Sequence, residues 1–110
     1  ISTKTGFELP YNLISPNNDG HQDLLEINYK FNSAGWTGKI DVLNYEGITI
    51  HTLSNGDLFG LTGSIYWNGE LANNKIIKAG IYALTFSCFN LKTQEKITQK
   101  MTFYINRSLQ

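Results

Sequence analysis

The run Ser15-Pro16-Asn17-Asn18-Asp19-Gly20-His21-Gln22-Asp23 is the most chemically specific stretch of the 110-residue chain. Oxygen-bearing side chains recur around a turn, with Ser15, Asn17 and Asp19 before Gly20, Asp23 beyond it, and Glu26 three residues further on. Calcium loops of the EF-hand kind place ligands at the first, third, fifth, seventh, ninth and twelfth positions. The seventh acts through its backbone carbonyl, and glycine stands at the sixth for the sharp turn. Counted from Ser15, those positions become Ser15, Asn17, Asp19, His21, Asp23 and Glu26, with Gly20 in the glycine place. Asn17, Asp19, Asp23 and the carbonyl of His21 are therefore the candidate metal ligands. An all-oxygen set suits calcium, whereas zinc would want His or Cys donors. Serine in place of a carboxylate at the first position keeps the charge low, so the expected affinity is weak, about 10⁻⁴ to 10⁻³ M as in extracellular modules. The same residues also have a metal-free reading, in which the Asn and Asp side chains bond their own backbone and Gly20 supplies a positive φ.

Nothing else in the chain carries reaction chemistry. No nucleophile stands beside a base and no cofactor loop occurs, so the chain is not expected to be an enzyme. The single cysteine, Cys88, excludes an intrachain disulfide and falls on the same strand face as Tyr82, Leu84 and Phe86, which reads as core. A reactive thiol would instead want an electropositive, accessible setting. The formal net charge is zero, which argues against capture of nucleic acid or of an anionic membrane surface. No apolar run is long enough to span a bilayer, and the chain starts at Ile1 without a signal peptide. Residues 1–110 thus read as a single domain cut from a longer exported protein.

The elements that must position the loop are strands. Phe7, Leu9, Tyr11 and Leu13 alternate with polar residues, and Pro10 restricts them to an edge strand or an extended approach to the loop. Beyond the loop, Leu25, Ile27, Tyr29 and Phe31 share one face of a half-buried strand. Residues 32–38 read as a loop presenting Trp36 between two glycines, either as a stacking surface or folded back as a lid. Residues 39–45 and 48–53 form a hairpin through Glu46-Gly47, with Ile40 and Val42 facing in together with Ile48 and Ile50, and His51 facing solvent. Residues 54–64 form a loop crossing between sheets, and Ser64 to Trp67 is a short strand. Ile81 to Asn90 and Lys96 to Ile105 form the last pair, with Gln99 interrupting an otherwise apolar face. No segment has a helical period. The expected fold is all-β, an immunoglobulin-like β-sandwich of about seven antiparallel strands. Its core should contain Leu25, Ile27, Tyr29, Ile40, Val42, Ile50, Trp67, Tyr82, Leu84, Phe86 and Phe103.

Three blocks in fixed order resemble a known family. Ser15-Pro16-Asn17-Asn18-Asp19-Gly20 with Asp23 is similar to the SPNxDGxxD opening of immunoglobulin-like domains in the flagellar hook-capping group. It is similar, too, to the C-terminal modules of gliding-motility-associated and type IX-secreted cell-surface proteins of Bacteroidetes type, some of which carry lamin-tail domains. The hairpin from Ile40 to Leu53 resembles their strand–glycine–strand block, and Trp67-Asn68-Gly69 followed by Ala79-Gly80-Ile81-Tyr82 resembles their WDG and AGxY blocks. Asn68 departs from the usual aspartate, and Lys78 stands where a proline often precedes Ala-Gly. The resemblance implies a non-catalytic accessory module of a secreted or cell-surface, outer-membrane-associated protein, serving in secretion, display, spacing or docking. Its implied partners are the other domains of the parent protein or the secretion and cell-surface machinery, with no nucleic acid and no membrane span. The competing reading is an adhesion or carbohydrate-binding module that uses exposed aromatics, Trp36 and Tyr66 foremost.

Overall fold

The β-forming alternation along the chain resolves, in a computed structural model that describes residues 6–15, 24–71 and 74–106, into eight strands. They are β1 (Gly6–Glu8), β2 (Leu13–Ile14), β3 (Leu25–Lys30), β4 (Trp36–Leu43), β5 (Thr49–Phe59), β6 (Thr62–Trp67), β7 (Gly80–Asn90) and β8 (Lys96–Ile105). A three-stranded sheet runs in the order β1-β3-β6, and a five-stranded sheet in the order β2-β8-β7-β4-β5. The two pack into an immunoglobulin-like sandwich. All pairings are antiparallel except β2 with β8, which run parallel through Leu13↔Tyr104 and Ile14↔Ile105.

The N-terminal stretch is neither a single edge strand nor a purely extended approach, the two alternatives expected of it. It breaks around Pro10 and joins both sheets, β1 pairing with β3 and β2 with β8. Proline lacks an N–H for the ladder, so the chain changes sheet where pairing would in any case be interrupted.

The apolar faces meet between the sheets. Leu25 and Ile27 of β3, Ile40 and Val42 of β4, Leu84 and Phe86 of β7 and Phe103 of β8 are all 0% exposed. Phe7 stacks on Phe86 across the sandwich, with ring centroids 4.3 Å apart. Tyr29, Ile50 and Tyr82 are half-buried against this core. Phe59, Ile14 and Ile77 complete it from positions whose strand or loop setting the alternation did not reveal.

The β4–β5 hairpin corrects two orientations. Asn44 closes it, its N–H donating to the carbonyl of Ile48 and its Oδ1 accepting from the N–H groups of Glu46 and Ile48, while Gly47 takes φ +82°. Immediately after the turn the register slips, so that Leu43 pairs with Thr49 but Val42 with His51. Residues directly opposite one another in an antiparallel pair share a face, so the slip turns His51 inward beside Val42, and it stacks on Trp67 at 5.3 Å rather than facing solvent. Ile48, held in the turn, is 57% exposed rather than inward. Two further slips follow, between Ile40 and Asp41 and between Gly38 and Lys39. They carry β5 through what composition presents as a loop, as far as Phe59, before the chain crosses to β6 in the other sheet. The crossover is as expected, but its approach is strand.

Candidate functional site

Asn17, Asp19, His21 and Asp23 lie outside the described residues, and only the flanks of their loop can be placed. On one side Ile14 is fully buried in β2. On the other, Leu25 is fully buried in β3. The Tyr11 hydroxyl donates to the carbonyl of Leu24 at 2.9 Å and ties the two flanks together. The Tyr11 phenol is raised above its ordinary range, first by partial burial, then by the nearby Glu26 carboxylate and by Tyr66. Among the described residues no group of three or more His, Cys, Asp or Glu could hold a metal ion.

The aromatic candidates separate. Trp36 opens β4 rather than standing in a loop, is 3% exposed, and stacks on Phe31 at 5.1 Å. Burial removes its face from any exposed stacking platform. Trp67 is also core, edge-on to Phe103 and bonded from Nε1 to the carbonyl of Glu70 at 2.9 Å. Tyr66 is 57% exposed on the outer face of β6. Cys88 is buried, and desolvation pushes its thiol up to about 11, consistent with a packing role.

The two later blocks build one pole of the sandwich. After Trp67 the chain turns through Asn68, whose Oδ1 accepts from the N–H of Glu70 at 3.0 Å. A carboxylate could accept in the same way, which is why asparagine substitutes here without loss of the turn. Gly69 takes φ +85°, and its carbonyl accepts from the N–H of Ile77, seating that residue in the core. The Tyr82 hydroxyl then donates back to the carbonyl of Lys78 at 2.8 Å. A tyrosine near the start of this strand, bonded to backbone a few residues upstream, is the tyrosine corner of immunoglobulin-like domains. Burial raises the Tyr82 phenol above its ordinary value.

The outside of this pole is unusually apolar. Leu13, Tyr104 and Ile81 are neighbours in register across β2, β8 and β7, and all three are exposed. Tyr45, 79% exposed, and Ile76 extend the surface past the strand ends. Two hollows of about 370 and 390 Å³ share Asn44, Tyr45, Ile81 and Tyr82 as walls, with Lys100 and Glu46 bordering one and Lys75 and Lys78 the other. Such a surface can bury aromatic or aliphatic side chains of a partner and attract acidic groups beside Lys75 and Lys78. The surface has no local sequence signal, because it forms only where β2, β8 and β7 meet in register. The same alternation that puts Tyr82 and Phe103 inward puts Ile81 and Tyr104 outward.

Fold and site together define an immunoglobulin-like sandwich module with a tyrosine corner and an exposed apolar pole. The sequence profile of the CHU_C type IX secretion signal domain matches residues 8–105, and the chain belongs to that family. Of the two groups that the sequence blocks resemble, this is the type IX one. The family is one of secretion signals, not of catalysts. No curated protein matches the chain significantly. Among solved structures, the chain is similar to one from a study of PorZ, an essential bacterial surface component of the type IX secretion system of human oral-microbiomic Porphyromonas gingivalis. The match has a TM-score of 0.52 at 16% identity and covers 93% of this chain but 12% of that one, so it speaks to the fold alone. Among the described residues no helix is long and apolar enough to cross a membrane.

Proposed function

We propose that this domain is the export and docking module of a longer protein that leaves the cell through a type IX secretion system and is held at the cell surface. The match of the secretion-signal family across residues 8–105 carries the reading. The apolar pole around Tyr45, Ile81 and Tyr104, with Lys75 and Lys78 at its rim, is the surface through which secretion machinery would recognise it. The test is a reporter fused ahead of residues 1–110 in a bacterium that has a type IX system. Export of the fusion, and its retention inside when the domain is deleted, supports the reading. Export without the domain overturns it and leaves spacing or adhesion. An Ile81→Ser/Tyr104→Ser variant separates signal from scaffold. The side chains are 46% and 42% exposed on the outer face of the sheet, so the domain should still fold, which its melting temperature checks, while export falls.

We also infer that the loop of Asn17, Asp19, His21 and Asp23 binds calcium weakly. Support comes from the ligand spacing and from the tie between its flanks, where Tyr11 meets Leu24.

A further inference from the structure

The pole opposite the apolar surface is closed by two loops, residues 31–35 between β3 and β4 and residues 91–95 between β7 and β8. Asn90, fully buried, cross-links them. Its Nδ2 donates to the carbonyl of Ala34 at 3.0 Å and to Ser33 Oγ at 3.4 Å, while its Oδ1 accepts from the N–H groups of Lys92 at 2.8 Å and Thr93 at 3.0 Å. The N–H of Leu91 adds a bond to the carbonyl of Gly35 at 2.8 Å. Loops fixed in this way need little further ordering when something binds between them.

Between them lies a cleft of about 270 Å³ walled by Asn32, Ser33, Trp36, Glu95, Lys96 and Ile97. Trp36 is the buried member of this wall, and its Nε1–H has no acceptor among the described residues. Trp67 makes the contrast, since its Nε1–H is bonded to Glu70. A buried N–H left without an acceptor is costly and is uncommon in folded proteins.

We propose that this cleft binds one neutral saccharide unit, with a ring hydroxyl accepting from Trp36 Nε1–H. The wall groups make complementary demands. Trp36 and Lys96 can only donate, whereas the Glu95 carboxylate can only accept. Adjacent hydroxyls on one ring serve both kinds of group, which a carboxylate, a phosphate or an ammonium ligand cannot. With one charge of each sign on the wall, a formally charged ligand would be opposed by one as it is attracted by the other. Half-buried Ile97 offers apolar surface to the C–H side of the ring. The volume lies just below the usual range of about 300–1,000 Å³ for ligand sites, so an occupant is limited to a single ring. The corresponding loops of antibody variable domains are binding loops. Asn32, Glu95 and Lys96 are exposed, Glu95 with its Oε1 accepting from the Thr93 hydroxyl at 3.0 Å, and reaching the shielded N–H requires the wall to move. This use of Trp36 as a donor differs from stacking on an exposed face, and the site is independent of the docking pole.

The chain has two tryptophans, so a ¹H–¹⁵N correlation spectrum of the folded domain shows two indole signals, Trp36 reporting the cleft and Trp67 serving as internal control. Methyl glycosides of glucose, galactose and mannose are titrated, together with glucuronate and glucosamine as charged counterparts. The expected result is saturable movement of the Trp36 signal by at least one neutral glycoside at about millimolar concentration, with Trp67 unmoved. Glu95→Ala, which alters an exposed side chain, should then weaken binding by about tenfold without changing the melting temperature. The proposal is overturned if none of the three glycosides moves Trp36, which would leave the cleft to water. Equal movement at Trp67, tighter binding of a charged counterpart, or an unchanged affinity in Glu95→Ala would overturn it equally.

Discussion

Gln99 is a polar residue on the inward face of β8, and the structure gives it a task. Its Oε1 accepts from the N–H of Phe7 at 2.8 Å and its Nε2 donates to the carbonyl of Phe7 at 3.2 Å. A side-chain amide thereby stands in for a strand neighbour and closes the free edge of β1 from the opposite sheet. The residue looks like a defect in the apolar pattern only while β1 is unplaced. Gln99→Leu should leave both Phe7 groups unbonded and destabilise by about 1–3 kcal/mol, measured by urea unfolding, with faster hydrogen exchange at Phe7 before any other strand. Unaltered exchange at Phe7 would show that β1 holds without the amide. Cys88 is the second residue-scale case, and its sign can be worked through. Burial raises the thiol from 9.0 to about 11, so between those values the unfolded chain has lost the proton and the folded chain keeps it. The stability contribution of the neutral thiol is therefore complete below about pH 9 and declines as pH rises towards 11. Alkylation at pH 8 should be negligible in the native protein and rapid in denaturant; rapid native labelling would mean the thiol is accessible.

At the scale of elements, alternation was legible wherever a strand keeps register over its whole length. β7 pairs without a slip from Gly80 with Ile105 to Phe89 with Lys96, and the inward set read from sequence, Tyr82, Leu84, Phe86 and Cys88, is the inward set observed. β5 was legible only as far as Leu53, because each bulge inserts a residue that inverts the alternation beyond it, and bulges have no sharp signature in a single sequence. Ser54 shows the consequence. It is a polar residue in an apparent loop, yet it pairs with Ile40, lies 5% exposed, and bonds Asp57 at 2.7 Å. The candidate sites divide on the same line. The ligand spacing from Ser15 to Asp23 is written in local sequence, whereas the apolar pole and the cleft at Trp36 need loops from distant parts of the chain to meet. Asn90 in particular joins residues 56 and 57 positions away. Where alternation did hold, it makes a firm prediction. Leu84→Ala and Phe86→Ala should each cost about 2–5 kcal/mol in equilibrium unfolding, and a loss within about half a kcal/mol would place them outside the core.

For the whole molecule the weak point is the N-terminal passage between sheets. β2 adds to the five-stranded sheet through two residue pairs only, secured by the Tyr104 N–H on the carbonyl of Asn12 at 2.7 Å and the Asn106 N–H on that of Ile14 at 2.9 Å. From there residues 16–23 must carry the chain to β3 in the other sheet. A calcium ion held by Asn17, Asp19, Asp23 and the carbonyl of His21 would fix this passage and so clamp one sheet to the other. At 10 mM calcium and the expected affinity the excess over Kd is about tenfold to a hundredfold, so binding to the folded state alone stabilises by about 1.4 to 2.7 kcal/mol, which is several degrees of melting temperature for a domain of about this size. The measurement is a thermal melt in 10 mM calcium against chelator, on the parent and on Asp19→Asn/Asp23→Asn. Calcium should raise the parent's Tm, leave the double variant unmoved, and slow hydrogen exchange at Tyr104 and Asn106, where β2 is attached. If the parent's Tm does not respond, the loop is a polar turn held by its own side chains. If Tm rises equally in the double variant, the ion acts elsewhere and these carboxylates are not its ligands.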